Sequence, residues 1–585
     1  MPKFEKIKLT LRTVRYMTAR QWAYRLYYTM KGKLPAGSLR PKAVEDPVSI
    51  GGYYENGIGA DVAAADALLA LTFPTASGQS VHFENQVDWD MPGERYRLKC
   101  FNLNSFSWLQ ILSDACRQTG NPAYVDFGLE QIRHWQASCR KVKGDKWNAY
   151  VLAKRLMHQI GFLCAHAEDH LQEFVPFLAA QADILSKNVE FHLGANHVLS
   201  EARALMFCGA FLKNKKLYRR GKRILDREFS VQFLADGGHY ERSVSYHVES
   251  LQQYFEAVWL MARVGDGDAV SWAQRLREPY RYLSAMVRCD GTIPLVNDAA
   301  RDYPFDGADF LYTSSYLYAE PAPKAAAGDY SRRWAMDSLG LETDWRCPAL
   351  FADTGFLSDH FTFGNTAHSL FFHVGNHGPD CNLGHTHADS LSLLWTSTDG
   401  ELFADSGVYT YAPGPERNAC RATASHNTVE VDGTDSCECW AAFRVARRGH
   451  TRIEEFTDDD EKLLLSASHD GYEILLSDPV KHTRTLHRCK ASGLITVTDV
   501  LTPKAQQHTG TLRFHLAPDC AALPIGDRSV LLRGKYLLSC DRPITLEKCS
   551  IAGHFGRPEE SLCITARFPI NGKTTVRCTV ATEAV

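Results

Sequence analysis

The hydrophobic spacing of this chain changes period near residue 350, and that change limits the folds open to it. Before that point apolar residues recur at helical steps. Leu152, Leu156, Ile160 and Leu163 follow one another at intervals of four, four and three, and Leu251, Tyr254, Phe255 and Val258 repeat the pattern. Amphipathic stretches over 105–118, 124–138, 173–186, 198–213 and 270–288 extend it, with turn residues between them at Gly120-Asn121-Pro122 and Gly265-Asp266-Gly267. After residue 350 the segments are short and β-branched: Leu494–Leu501, Thr511–Leu516 and Thr574–Val580 read as strands. Helices followed by strands predict an all-α domain and then an all-β domain. The expected boundaries are a basic helical arm over 1–45, a helical domain over 46–345 and a β-domain over 346–585, with an exposed excursion at Ala319–Gly328 close to the junction. No sequence repeat of fixed period is present, although a ring of helical hairpins can repeat in structure alone.

With 585 residues the chain is long enough for two cores, and its 45% hydrophobic and 23% charged residues are ordinary globular composition. A net charge of −3 excludes the global positive field of a nucleic-acid protein. The seventeen cysteines are an odd, scattered set in a chain too long to need disulfide staples, so they read as reduced thiols. Cys437 and Cys439 stand close together, but a lone CxC pair makes a weak metal motif. Lys3, Lys6, Lys8, Arg12, Arg15, Arg20 and Arg25 interrupt every apolar run near the start, so no secretory signal is expected. A cytoplasmic location follows, with a periplasmic or membrane-associated one as the alternative. The best apolar run, Val62–Phe73, is short, broken by Asp66, and cannot span a bilayer. Two readings fit the basic, aromatic segment up to Lys33: a helix lying on an anionic membrane surface, and, more simply, a helical arm docked on the body of the protein.

Four clusters carry chemistry-bearing side chains. Asn196 and His197 precede an apolar helical pattern, which puts them at a helix start facing a groove or makes Asn196 simply the N-cap. The run Asp236–His247 holds His239, Tyr240, Tyr246 and His247, and spacing does not say which Tyr and His work together. In Gly384–Leu393, His385 and His387 stand two apart, which on a strand puts both imidazoles on one face, an arrangement suited to metal binding or acid–base work. Asp405 and His426 add candidate ligands: a His, an Asp and a His from three adjacent strands would form a nitrogen–oxygen site compatible with zinc. The plain alternative for that group is a hydrogen-bonded polar patch on a sheet.

Taken together these clusters resemble the heparinase II/III superfamily of polysaccharide lyases, which includes alginate and oligoalginate lyases. Gly194-x-Asn196-His197…Glu201, Tyr246-His247, Gly384-His-x-His-x-Asp-x-Leu-Ser392, Asp405–Tyr409 and Ser425–Val429 occur in the family's order. Weaker similarity reaches upstream to Phe101–Trp108 and Trp147–Tyr150. The resemblance implies an incomplete (α/α) toroid followed by an antiparallel β-sandwich, with the active cleft between them. It also implies β-elimination at a uronic acid of an anionic polysaccharide, leaving a C4–C5 unsaturated sugar.

Residue by residue, the resemblance implies that Asn196 and His197 neutralise the uronate carboxylate, that Tyr246 is the acid and in a syn elimination also the base, and that His385 is the base or a carboxylate partner. His387, Asp405 and His426 match the family's zinc ligands, with the metal in a structural role. Arg417 and Arg421 are candidates to pair with substrate carboxylates, as Arg444, Arg447 and Arg448 are to extend the groove. Trp147 and Tyr150 are candidates to stack on sugars, and Glu201 and His247 to contact or orient substrate. Two other functions stay open at this level. A glycoside hydrolase would need paired carboxylates, for which Glu201, Glu241 and Asp389 are available, and a non-catalytic exopolysaccharide-binding module would need none. The polymer, its sulfation, the endo or exo mode and the oligomeric state are not written in the sequence.

Overall fold

The computed structural model describes residues 2–31, 37–50, 61–75, 79–91, 97–301 and 350–581. The predicted junction at 345/346 and the stretch Ala319–Gly328 lie outside them. Two helices come first, α1 (Lys3–Val14) and α2 (Ala19–Lys31). The helical domain continues with α3 (Val62–Leu69), α4 (Arg97–Ser105), α5 (Leu109–Thr119), α6 (Ala123–Ser138), α7 (Ala149–His166), α8 (Leu171–Ser186), α9 (Ala195–Phe211), α10 (Lys215–Gln232), α11 (Val244–Arg263), α12 (Ala269–Arg275) and α13 (Arg277–Met286). Two predicted helices are each divided. The stretch 105–118 starts only at Leu109, after a turn in which Phe106 has a positive φ, and 270–288 splits at Leu276.

This is an incomplete (α/α) toroid, and burial separates its inner helices from its outer ones. α7, α9 and α11 are buried nearly all round, as helices at the centre of a larger body must be. The basic helix α10 buries only Gly221, Leu225, Glu228 and Gln232, one stripe turned towards α9. The two helices meet closely because Gly221 has no side chain: a Cβ there would come within 2.3 Å of the Ala202 carbonyl and 2.8 Å of the Met206 nitrogen.

The second domain is an antiparallel β-sandwich. A five-stranded meander runs from Leu350 to Phe403, an eight-stranded sheet is centred on Val480–Cys489, Ile495–Pro503 and Thr574–Ala581, and a four-stranded sheet pairs His508–His515 with Val429–Val431 and Arg557–Ile570. Alternation is clearest in Val480–Cys489 and Ile495–Pro503, where every second residue is buried. Their inward apolar side chains, Val480, Leu486, Ile495, Val497 and Leu501, join Trp395, Phe403, Phe514 and Tyr536 in one core. Every cysteine of the described residues is a free thiol, and no helix among them is long and apolar enough to cross a membrane.

The arm is docked. In α1, Arg12 pairs with Glu438 at 2.9 Å and Thr13 accepts the Trp440 indole N–H at 2.9 Å. In α2, the Tyr28 hydroxyl donates to the Val189 carbonyl at 2.7 Å, and Arg20 pairs with Glu228. The arm thus straps the β-domain to the toroid. Arg447 is held by Glu438, and Arg448 lies over the Tyr16 ring and donates to Asp380. These two arginines therefore serve the strap and do not extend a groove.

Candidate active site

The site is built where the N-terminal ends of α9 and α11 meet loops of the β-domain. Gly194, at φ 73°, turns the chain into α9 and is its N-cap, so Asn196 stands inside the first turn and is not the cap. Freed from capping, the Asn196 amide donates to Glu249 at 2.9 Å. Glu249 also accepts the Tyr150 hydroxyl at 2.8 Å and lies 3.5 Å from the Lys154 ammonium. Burial alone would raise this carboxyl, but Lys154, Asn196 and Tyr150 outweigh it and hold Glu249 below the usual range. His197 is 29% exposed, stacks on Tyr150 with ring centroids 4.4 Å apart, and is held through Nδ1 by Glu190 at 2.9 Å.

Glu201 lies beneath this pair. It is fully buried, accepts the Glu190 backbone N–H at 2.7 Å, and is pushed well above the usual carboxyl range by burial and by the Glu190 charge. It fixes the loop under His197 and does not reach substrate.

Tyr246 lies one helical turn before Glu249 on α11, so it shares the face to which Asn196 is tied. Its ring stacks on His385 with centroids 3.8 Å apart, and its hydroxyl is 3.0 Å from that of Tyr411. Of the candidate tyrosines and histidines, the structure therefore brings together Tyr246 and His385. His239 is buried against Gln232 and Ser250, and Tyr240 accepts the Ala195 N–H, so both support the α9 turn. His247 points the other way, into the toroid, where its Nε2 meets the Pro279 carbonyl and burial lowers its pKa to about 3. It does not contact the cleft.

The segment 384–392 is a loop, not the predicted strand. Its backbone donors go elsewhere: His387 N–H to the Asn297 side chain and Ala388 N–H to the Arg421 carbonyl, leaving no ladder to a neighbouring strand. The two imidazoles nevertheless converge, because both bind one carboxylate. Asp298 takes His385 Nδ1 on one oxygen and His387 Nε2 on the other, each at 2.9 Å, and receives the Arg417 fork at 2.5 and 2.7 Å. Burial would raise Asp298, but Arg417, His385 and His387 drive it well below the ordinary carboxylate range. Asp298 is the functional residue that sequence reasoning missed. Its signal, a lone Asn297-Asp298 close to the domain junction, is too short to stand out.

Arg417 and Arg421 are consequently not free to bind substrate. Both are fully buried: Arg417 neutralises Asp298, and Arg421 donates to the carbonyls of Thr386, Ala441, Ala442 and Arg444. Trp147 is also buried, packed at a tilt against Trp135 with Arg155 beside it, so it braces the toroid and is no open sugar platform. Tyr150 is partly exposed and remains at the cleft through His197.

His387, Asp405 and His426 form a second, fully interior cluster whose ligand atoms lie within 4.8 Å of one another. They come from loops and turns rather than three strands. Asp405 follows the strand Gly400–Phe403, and His426 follows a single 3-10 turn, Thr423–Ser425. The donor set fits a divalent metal. His387 Nδ1 and His426 Nε2 are buried nitrogens without a hydrogen-bond partner, and Asp405 brings a carboxylate, bonded at 2.8 Å to the other nitrogen of His426. Because Asp298 holds the opposite nitrogen of His387, it both orients that candidate ligand and positions His385.

The carboxylates needed for hydrolysis do not form a pair across an opening. Glu201 is sealed under Glu190, Asp389 is bound to His373 at 3.0 Å, and Glu241 is buried, 4.0 Å from His385 Nε2, with its carboxyl raised by burial.

Two family models match the chain: "Heparinase II/III N-terminus" over residues 1–306 and "Heparinase II/III-like, C-terminal" over 346–577. A heparin-sulfate lyase of Bacteroides stercoris is 24% identical over 63% of this chain and 59% of its own length. One from Bacteroides thetaiotaomicron is 26% identical over 65% and 58%. The chain spans about three-fifths of the length of these curated relatives. Among solved structures, a heparinase III superposes with a TM-score of 0.71 at 17% identity, covering 93% of this chain and 88% of that one. A heparan sulfate lyase mutant from Pedobacter heparinus gives 0.63 at 17%, covering 96% and 88%. At that identity the structural likeness is one of fold. The family models span both domains and hold every residue of the cleft, and on that ground the chain belongs to the heparinase II/III family.

Proposed function

We propose that this chain is a polysaccharide lyase that cleaves a uronate-bearing anionic polymer, of the glycosaminoglycan or exopolysaccharide kind, by β-elimination. The observation that carries the reading is Tyr246 stacked on His385 with Asn196 tied one helical turn away through Glu249. A phenol, an imidazole and a carboxamide then share one site, where Glu201, Glu241 and Asp389 form no pair across an opening. The names of the curated relatives, heparin-sulfate lyases, support an anionic polysaccharide as substrate.

In this mechanism the uronate carboxylate takes hydrogen bonds from Asn196 and His197, which stabilise the charge that grows on it as the C5 proton leaves. The base removes that proton, the C5–H electron pair becomes the C4–C5 double bond, and the C4–O4 bond breaks. Tyr246 returns a proton to the departing O4, and His385, held through Nδ1 by Asp298, works through Nε2 as base or carboxylate partner. The C5 epimer decides how Tyr246 and His385 divide these duties. His387, Asp405 and His426 would hold a structural zinc ion, which supplies a rigid tie between loops beneath His385. Side chains alone neutralise the carboxylate.

The test is an ultraviolet screen for conjugated unsaturated uronate on heparan sulfate, hyaluronan, chondroitin, alginate and bacterial exopolysaccharides. Rising absorbance on one polymer supports the proposal and identifies the substrate class. New reducing ends without absorbance would mean hydrolysis and would overturn it.

A further inference from the structure

The arm has two faces, and only one is used in docking. On α1, Leu9 is buried against the β-domain, whereas Phe4, Ile7 and Leu11, spaced three and four apart on the opposite side, are 77%, 50% and 63% exposed. On α2, Gln21, Tyr24 and Tyr28 turn inward, and Trp22, Leu26 and Met30, at steps of four, are 50%, 63% and 62% exposed. Two successive helices therefore direct rows of large apolar side chains into solvent. Water disfavours such rows, and their regular spacing marks a surface, not scattered exposed residues.

The charge around these rows indicates what covers them. Residues 1–33 contain nine Lys and Arg and a single acid, Glu5, in a chain whose net charge is −3. Arg12 and Arg20 are spent on the internal pairs with Glu438 and Glu228, while Lys3, Lys6, Lys8, Arg15 and Arg25 are exposed beside the apolar rows. We propose that the outer face of α1 and α2 docks on an anionic lipid surface, with the apolar rows entering the headgroup–acyl boundary and the basic side chains meeting lipid phosphates. A polysaccharide would satisfy the cations, but it leaves Ile7, Leu11, Leu26 and Met30 without a partner. A second copy would bring like charge against like. Because α2 packs on the segment that bears Val189 and Phe191, either side of Glu190, the membrane-facing helix lies directly behind the loop that holds His197. Docking therefore sets the cleft close to the bilayer. This inference is independent of the reaction proposed above.

The test is co-sedimentation of the full chain with phosphatidylcholine vesicles, with and without phosphatidylglycerol. Two variants accompany it: Phe4→Ser/Leu11→Ser/Leu26→Ser/Met30→Ser, and Lys3→Gln/Lys6→Gln/Lys8→Gln. All seven side chains are exposed and lie outside the cleft, so an unchanged melting temperature shows that the variants fold. The expected result is binding to the mixed vesicles only, weakened about tenfold or more by either variant and reduced by salt. Absence of wild-type binding at low salt would overturn the proposal, as would equal binding by the four-serine variant. A lipid-free dimer dissolved by the serine substitutions, without vesicle binding, would overturn it in favour of self-association.

Discussion

At the scale of single residues, the cleft depends on side chains that each carry one hydrogen bond too specific to replace. Tyr246 keeps its ring stacking on His385 if only the hydroxyl is lost. Tyr246→Phe should therefore lower kcat about 10²–10⁴-fold and leave polymer affinity nearly intact; measured turnover equal to wild type would remove the phenol from the mechanism. Asp298 works through others and is a positioning residue. Asp298→Asn keeps its size but removes the charge that faces Arg417, His385 and His387. It should weaken metal binding about 10–100-fold and destabilise the fold by about 3 kcal/mol, since a buried guanidinium loses its counter-ion. Competition with a chelating indicator dye and a thermal melt read the two effects separately, and a variant with unchanged metal affinity would refute the link between Asp298 and the His387 site.

Secondary elements set the distances between these residues. α9 carries Asn196 and His197 and is backed by α10 at the Gly221 contact. Gly221→Ala places a methyl group against the Ala202 carbonyl and the Met206 backbone, which cannot move without shifting α9. A cost of about 2 kcal/mol is expected, together with reduced activity, because the start of α9 tilts. A denaturant midpoint unchanged by the substitution would show that the helices have slack. In the β-domain, the loops bearing His387, Asp405 and His426 would be held by the metal. Chelation should expose the segment 384–392 to hydrogen exchange while the toroid stays protected. Uniform protection after removal of the metal would count against a structural role.

For the whole molecule, acidity is the lever, because imidazoles are buried neutral in both domains. Burial lowers His247 in the toroid to about 3 and His377 in the β-domain to about 4. The unfolded chain protonates these groups below about pH 6.5 while the folded one does not, so each removes about 1.4 kcal/mol per pH unit as pH falls from 6.5 towards 4. Asp499 works lower. Burial opposes its ionisation, but Arg484 and His482 bring it to about 2, so its contribution is complete above about pH 4 and fades only beneath that. The thermal midpoint should therefore drop steeply between pH 6.5 and 4; a flat profile across that window would contradict neutral burial of His247 and His377.

The sequence by itself determined the order of the two domains and offered a docked arm as the simpler of two readings, while the family resemblance, not spacing, singled out Asn196, His197, Tyr246 and His385. Local physics suffices for the domain order, because a period of 3.6 or 2 is set by which neighbours must share a face. Only the tertiary structure decided that His239 and Tyr240 support the α9 turn while Tyr246 stacks on His385, and that Arg417 and Arg421 are internal. The same holds for the loop 384–392, whose N–H groups are satisfied by Asn297 and Arg421 rather than by a strand. Asp298 is the plainest case. Its three partners lie 87, 89 and 119 residues away, and no local pattern can state which charges a buried carboxylate will meet. Composition and spacing limit what a segment becomes, whereas the partner of a buried charge is chosen by packing across the chain, where an unpaired ion costs too much to remain.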